Sequence, residues 1–195
     1  MPLLRPVSRP RRGVAAALAA ACAVALLLSG CTGDAPAASP SPSADAAEPI
    51  FATDEEALAA AESAYEAYIA TVDQLTQEGG SNPERIRAVV DETYVEELIA
   101  SLQRLSEAGN HTSGETTFDN LKLVERNEDA GVATVTAYIC IDVSDVRVLN
   151  AAGEDVTPPD RIPRRPLQTT FISSNSEASK LLPSGSEQWA GDDFC

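Results

Sequence analysis

Val132–Val143 reads VATVTAYICIDV, and this stretch decides the fold. It is rich in β-branched and aromatic residues and is apolar on both faces. That is the composition of a central strand covered on at least part of each side. The stretch before it, Thr116–Arg126, alternates weakly around Phe118, Leu121 and Leu123. Asn127-Glu128-Asp129-Ala130-Gly131 between them is turn chemistry, so the two strands pair as a hairpin. Farther on, Val146-Arg147-Val148 and Asp155-Val156-Thr157 flank Asn150-Ala151-Ala152-Gly153, the pattern of a second hairpin. Residues 158–166, PPDRIPRRP, are set apart from any central strand, because their four prolines give no ladder N–H. Leu167–Ser173 is a further strand, and Lys180-Leu181-Leu182-Pro183 is a short strand or a sheet edge. Glu187-Gln188-Trp189 leads into Gly191 and Cys195.

On the other side of the hairpin the period is 3.6 rather than 2. Thr53-Asp54-Glu55-Glu56 is a capping box, and its three acids suit the positive end of a helix dipole. Leu58, Ala61, Tyr65, Tyr68, Ile69, Val72 and Leu75 follow on one face, and Gly79-Gly80 ends the pattern. This predicts a helix over 54–78. Asn82-Pro83 opens a second helical stretch, with Asn82 as cap and Pro83 at the first position. Ile86, Val89 and Val90 begin its apolar face, and Tyr94, Leu98, Leu102 and Leu105 continue it. Asp91 is placed to cap a fresh start, so this is either one bent helix or two joined at Val90-Asp91. Residues 109–115, GNHTSGE, form a loop. Helices first and strands after is the α+β pattern, with helices packed on one face of an antiparallel sheet.

The amino-terminal region is of another kind. Residues 1–12 carry Arg5, Arg9, Arg11 and Arg12 and no acid, and residues 14–28 run VAAALAAACAVALLL. Fifteen apolar residues fall short of the ~20 that a membrane span needs. A basic start, a short apolar core and small residues at its exit make a secretory signal peptide over 1–30. Its end, Leu28-Ser29-Gly30-Cys31, resembles the bacterial lipobox. The resemblance implies that Cys31 receives a diacylglyceryl thioether and becomes the first residue of the exported chain. Two acyl chains hold stably where one is marginal, at ~0.8 kcal/mol per buried CH₂. Residues 32–48, TGDAPAASPSPSADAAE, lack a hydrophobic repeat and cannot offset the entropy of ordering. Residues 31–48 are thus the lipidated cysteine and a disordered tether, reaching roughly 20–25 Å. Residues 49–195 remain as one domain's length of chain.

The cysteine count agrees with export. Cys22 leaves with the signal peptide and Cys31 is used by lipid, so Cys140 and Cys195 remain as a pair in an oxidising compartment. The expectation is a disulfide. Closing a loop of 55 positions is worth ~4 kcal/mol by chain entropy, less any native strain. Without its first 30 residues the chain has ten Lys and Arg against 30 Asp and Glu, a net charge of −20. That argues against nucleic acid, whose binding rests on neutralising phosphates. It also argues against the protein body lying on an anionic bilayer, so the lipid must do the holding.

A long helix, a second helical piece and then a curved sheet of about four strands resembles the NTF2-like (cystatin-like, cone-shaped) superfamily. More narrowly the chain resembles actinobacterial lipoproteins of unknown function. The residues behind this are the lipobox, the Ala-rich helix at 57–70, Tyr138-Ile139-Cys140-Ile141-Asp142, and Trp189-Ala190-Gly191 through Cys195. The resemblance implies an α+β cone over about 53–195, a fold that hosts enzymes, ligand binders and interaction modules alike. On this reading the Cys140–Cys195 bridge is structural, pinning the carboxy-terminal tail, and with it Trp189, against the sheet.

Catalytic motifs are absent from the sequence. The chain has one histidine, His111, in a Gly/Ser loop with no nucleophile elbow. Two cysteines and one histidine fall short of a four-ligand zinc site, and no phosphate-binding glycine loop is present. The enzyme option is fold-based: NTF2-like isomerases use an Asp base with a Tyr donor in the cone. Asp142, with Tyr65, Tyr68, Tyr94 or Tyr138, is the candidate set for it. Asp142-Val143-Ser144-Asp145 lacks the twelve-residue calcium loop. Arg161, Arg164 and Arg165 form a local positive spot, able to dock an anionic partner or to pair internally. The expectation is a non-catalytic binding or interaction module, without cofactor or metal, on the outer face of the bacterial cell membrane. A small apolar ligand in the cone, or an isomerase-like reaction there, is the alternative.

Overall fold

In the computed structural model, the described residues are 48–195. The expected signal peptide, the lipobox-like stretch with Cys31, and the expected tether up to residue 47 lie outside them. The element order is α1 (Asp54–Gln77), a 3₁₀ turn (Pro83–Ala88), α2 (Glu92–Glu107), β1 (His111–Ser113), β2 (Thr117–Asp129), β3 (Val132–Asp142), β4 (Arg147–Leu149), β5 (Arg164–Ser173) and β6 (Leu181–Gln188). The main sheet is antiparallel and four-stranded, in the order β2-β3-β5-β6, and β1 pairs with β4 in a separate ribbon. The fold is α+β, with the helices laid on one face of a curved sheet, the architecture implied by the NTF2-like resemblance.

α1 starts where the capping box stands. Thr53 Oγ1 accepts from Glu56 N at 3.2 Å, while Glu56 reaches back one residue further than expected, accepting from Ala52 N at 2.8 Å. The helix divides its apolar face between two cores. Ala57, Ala61, Tyr65 and Ile69 meet Ala133, Val135, Ala137 and Ile139 of β3 and Phe171 of β5. Leu75 meets Ile86, Val90, Val95, Ile99 and Leu102 of the second helical region, with Tyr68 and Val72 beside them. Both cores and the disulfide lie within residues 48–195, which fall in one compact unit.

The second helical region is two pieces. Asp91 caps α2 by accepting from Thr93 N at 3.0 Å. Asn82, expected as a cap, makes no side-chain capping bond; it turns in the left-handed region at φ 50°. Gly80 just before it has φ +75°, and a Cβ there would stand 2.3 Å from the Leu102 carbonyl oxygen. The reversal between the helices therefore depends on that glycine.

The sheet also departs from expectation in two places. The loop at 109–115 contains a strand, β1, whose partner is β4 in the stretch expected to form a local hairpin. The hairpin survives in reduced form, with Leu149 bridged to Asp155. Second, β5 begins at Arg164, so Pro166 lies inside a central strand, opposite Cys140 of β3. The Pro166 carbonyl accepts from Trp189 N, on the β6 side. In an extended strand the nitrogen of the same residue points the same way. The missing N–H therefore faces the β6 side, beside Trp189 just past the end of β6 at Gln188, and takes no bond from β3. Pro183 sits in β6, an edge strand, and its carbonyl faces outward to Asp91 N at 2.9 Å, as the edge rule for proline requires.

Candidate functional site

β3 alternates, and the alternation sorts the candidate residues. Ala133, Val135, Ala137 and Ile139 are buried against the helices, so Ile141 shares their face. Tyr138, Cys140 and Asp142 point to the other side. The same rule puts Arg165, Leu167, Thr169 and Phe171 of β5 inside and Arg164 outside, given the pairing of Ile141 with Arg165 and of Asp142 with Arg164.

On the inner side a cavity of about 450 Å³ lies between α1, the start of α2, and one end of the sheet. Tyr65, Tyr68, Tyr94 and Arg165 line it, with Thr116, Ser186 and Gln188 as further polar groups and Ile69, Val72, Ile141, Val143 and Leu167 as apolar wall. Tyr65 is 1% exposed. Its ring is held edge-on by Phe118, with centroids 4.8 Å apart at 89°, and by Phe171 at 6.3 Å and 77°. Tyr68 and Tyr94 lie 6.4 Å apart across the helix pair. Ser186 is fixed by Thr169, hydroxyl to hydroxyl at 2.9 Å.

Burial is the main cause that raises the Tyr65, Tyr68 and Tyr94 hydroxyls above the ordinary tyrosine range, and the nearby Tyr94 raises Tyr65 and Tyr68 further. The Arg165 guanidinium acts in the opposite sense on Tyr65. All three phenols are therefore neutral donors at physiological pH. Groups whose folded pKa is raised stabilise the fold below the unfolded value and lose that stabilisation as pH climbs through the folded value. The stability of residues 48–195 is thus expected to fall as pH rises above about 10, where unfolded tyrosines release their protons. Tyr68→Phe should flatten that fall; urea midpoints at pH 8 and pH 10.5 measure it, and an unchanged slope would refute the assignment.

The outer side gathers what the isomerase option required inside. Asp142 accepts from Ser144 N at 2.8 Å and faces Arg164 at 3.4 Å. The Ser144 bonds first, and Arg164 after them, hold its carboxyl below the ordinary carboxylate range. A general base for proton abstraction needs the reverse shift and a place in the cavity. Asp142 has neither, and Tyr138 is on the outer face with it. Arg164 forms two bonds to the Asp119 carboxylate, at 2.7 and 2.9 Å, and donates to the Cys195 carbonyl at 3.2 Å. Arg161 donates to the Val143 and Val146 carbonyls at 3.0 and 2.8 Å. The positive spot is therefore dispersed: two of its three arginines tie loops and strands, and the third lines the cavity.

Cys140 and Cys195 are joined by a disulfide, with Cα atoms 5.5 Å apart. Tyr138 stacks with Trp189 at 4.7 Å and with Phe194 at 5.2 Å. A Cβ on Gly191 would stand 2.5 Å from the indole, so the tail passes directly over that ring. Trp189 is thus held beside the bridge on the outer face, rather than over the main core. His111 is half-buried in β1. Among the described residues no three His, Cys, Asp or Glu side chains are grouped to hold a metal ion.

Arg165 is legible in the sequence as part of the positive spot, but its place in the cavity is not, nor are those of Thr116, Ser186 and Gln188. It stands two positions before Leu167 and so shares its face, but the prolines around it mask the alternation. Fold and site together define an α+β module, helices on one face of a four-stranded antiparallel sheet, with a half-polar cavity between them. No family model and no curated protein matches the chain. Among solved structures it is similar to the intermembrane-space region of the chloroplast protein ARC6, at 12% identity and TM-score 0.50, covering 69% of this chain and 97% of that one. A Catenulispora acidiphila protein aligns at 13% identity and TM-score 0.40, covering 67% and 92%. The designed NTF2-like protein Rd1NTF2_05 aligns at 16% identity and TM-score 0.31, covering 66% and 99%. At this identity the likeness to the ARC6 region shows the fold alone.

Proposed function

We propose that this protein is a lipid-anchored extracytoplasmic binding module that holds a small molecule in its cone cavity without chemically changing it. The observation that carries the binding half is the cavity: three neutral tyrosines and one arginine around an apolar wall, with Asp142 turned away from it. Such a site can orient a ligand by hydrogen bonds and charge. It holds no acid–base pair with pKa values pushed apart, the mark of proton-transfer chemistry.

The anchoring half is supported by Leu28-Ser29-Gly30-Cys31 at the end of the apolar block, and by the net charge of −20 beyond it. Labelled palmitate fed to the producing bacterium is expected to enter the protein and partition it into the membrane fraction. Cys31→Ala should abolish both label and partitioning. Label that persists in Cys31→Ala, or a wild-type protein found free in the medium, would remove the anchor from this reading.

A further inference from the structure

Resting on the cavity-binding reading, we propose that the ligand is a monocarboxylate with an unbranched apolar chain, its carboxylate held by Arg165 and the Tyr65 hydroxyl. The lining is the first argument. The chain has 30 Asp and Glu, yet none of them lines this cavity. Its donors are the guanidinium and three phenols; of the other polar groups, Thr116 already donates to Asp73 at 2.7 Å, Ser186 is paired with Thr169, and Gln188 both donates and accepts. A donor-rich wall calls for an acceptor-rich ligand, and a guanidinium fork matches a carboxylate best.

The state of those donors is the second argument. Arg164 is engaged by Asp119 and Asp142, whereas Arg165 makes no ion pair among the described residues. The Tyr65 hydroxyl likewise has no hydrogen-bond partner among them and opens on the cavity, while its ring is fixed between Phe118 and Phe171. A phenol locked in place with its donor unused is preorganised for a ligand.

The surroundings set charge and shape. A neighbouring cleft shares Tyr94 and Ser186 with the cavity and carries Glu97 and Glu187. Their repulsion, added to the net charge of the whole chain, disfavours a dianion such as phosphate. On another side a cavity of about 440 Å³ shares Tyr68 and Val72 with the first and is lined by Ile86, Leu98, Leu102 and Leu105. The apolar wall therefore continues past Tyr68 between the two helices. A charged head at Arg165 and a flexible chain passing Tyr68 occupy both spaces.

Isothermal titration of residues 48–195 with octanoate and with octan-1-ol tests this, since the two share a chain and differ in the head. Octanoate is expected to bind at least about tenfold tighter, the effect of roughly one charge-assisted contact. Arg165→Met should erase that difference by weakening octanoate and leaving octanol unchanged, and Arg165→Lys should restore part of it. Equal affinities in the wild type, or an octanoate affinity that survives Arg165→Met, would overturn the carboxylate claim and leave a neutral-ligand cavity standing. Binding of neither probe to the wild type would overturn both the ligand class and the cavity-binding reading. Should Arg165→Met fail to fold, the wild-type comparison and Arg165→Lys decide.

Discussion

Replacing Phe171 by alanine is expected to lower the stability of the domain by about 3–5 kcal/mol, the range for a fully buried aromatic. The ring is 0% exposed and packs where α1, β3 and β6 converge. It stands opposite Val135 on β3 and Pro183 on β6 and meets the edge of Tyr65. Its neighbours there are held by sheet register and helix packing, so the gap cannot close by a side-chain rotation. A loss of that size is about a fifth or more of the ~5–15 kcal/mol that holds a typical domain together. Phe171→Leu, which keeps most of the volume, should cost under about 1.5 kcal/mol. Urea unfolding followed by circular dichroism measures both. A loss below about 1 kcal/mol for the alanine variant would mean that this junction is not the packed core described. Because Phe171 also braces Tyr65, the same variant should weaken octanoate binding.

Opening the Cys140–Cys195 bridge is the second large effect. The bridge closes a loop of 55 positions, for which chain entropy alone gives ~4 kcal/mol. Cys195→Ser is expected to cost about 2–4 kcal/mol. The tail keeps its stacking on Tyr138 and the bond from Arg164 to the Cys195 carbonyl, and these limit the loss to unfolded-state entropy and local fraying. Hydrogen exchange distinguishes the two contributions. Faster exchange over 189–195 alone would make the bridge a local pin. Faster exchange that reaches the β3 and β5 amides would make it a global constraint. An unchanged urea midpoint with unchanged exchange would deny it any part in stability.

Long periodic stretches are legible in the sequence, because burial imposes a period on them. α1 announces itself through Thr53-Asp54-Glu55-Glu56 and a regular stripe, and β3 through VATVTAYICID. The cysteine pairing follows from counting. What stays hidden depends on relations between distant segments. β1 is three residues long and exists because β4 lies across from it, with His111 opposite Leu149 and Ser113 opposite Arg147. Pro166 is tolerated in a central strand because its missing N–H faces away from β3, toward the chain just past the end of β6, a relation no local window contains. Asn82 carries a capping residue's chemistry, but the reversal at Gly79-Gly80 takes it into the left-handed region first. The cavity is half legible. Tyr65, Tyr68 and Tyr94 are candidates by residue type, and they do meet. Strand parity removes Asp142 and Tyr138, and it depends on where the inner face begins; the same parity adds Arg165.

Trp189 is the chain's one tryptophan. It rests on Tyr138 under Gly191, on the opposite side of the sheet from Tyr65, Tyr68 and Tyr94. The protein thus carries two separate optical reporters. Indole emission follows the docking of the tail and is nearly blind to whatever fills the cone. Phenol absorption near the cavity follows the ligand. A titration watched only through tryptophan would call a loaded protein empty, whereas the same samples read through tyrosine difference spectra would not.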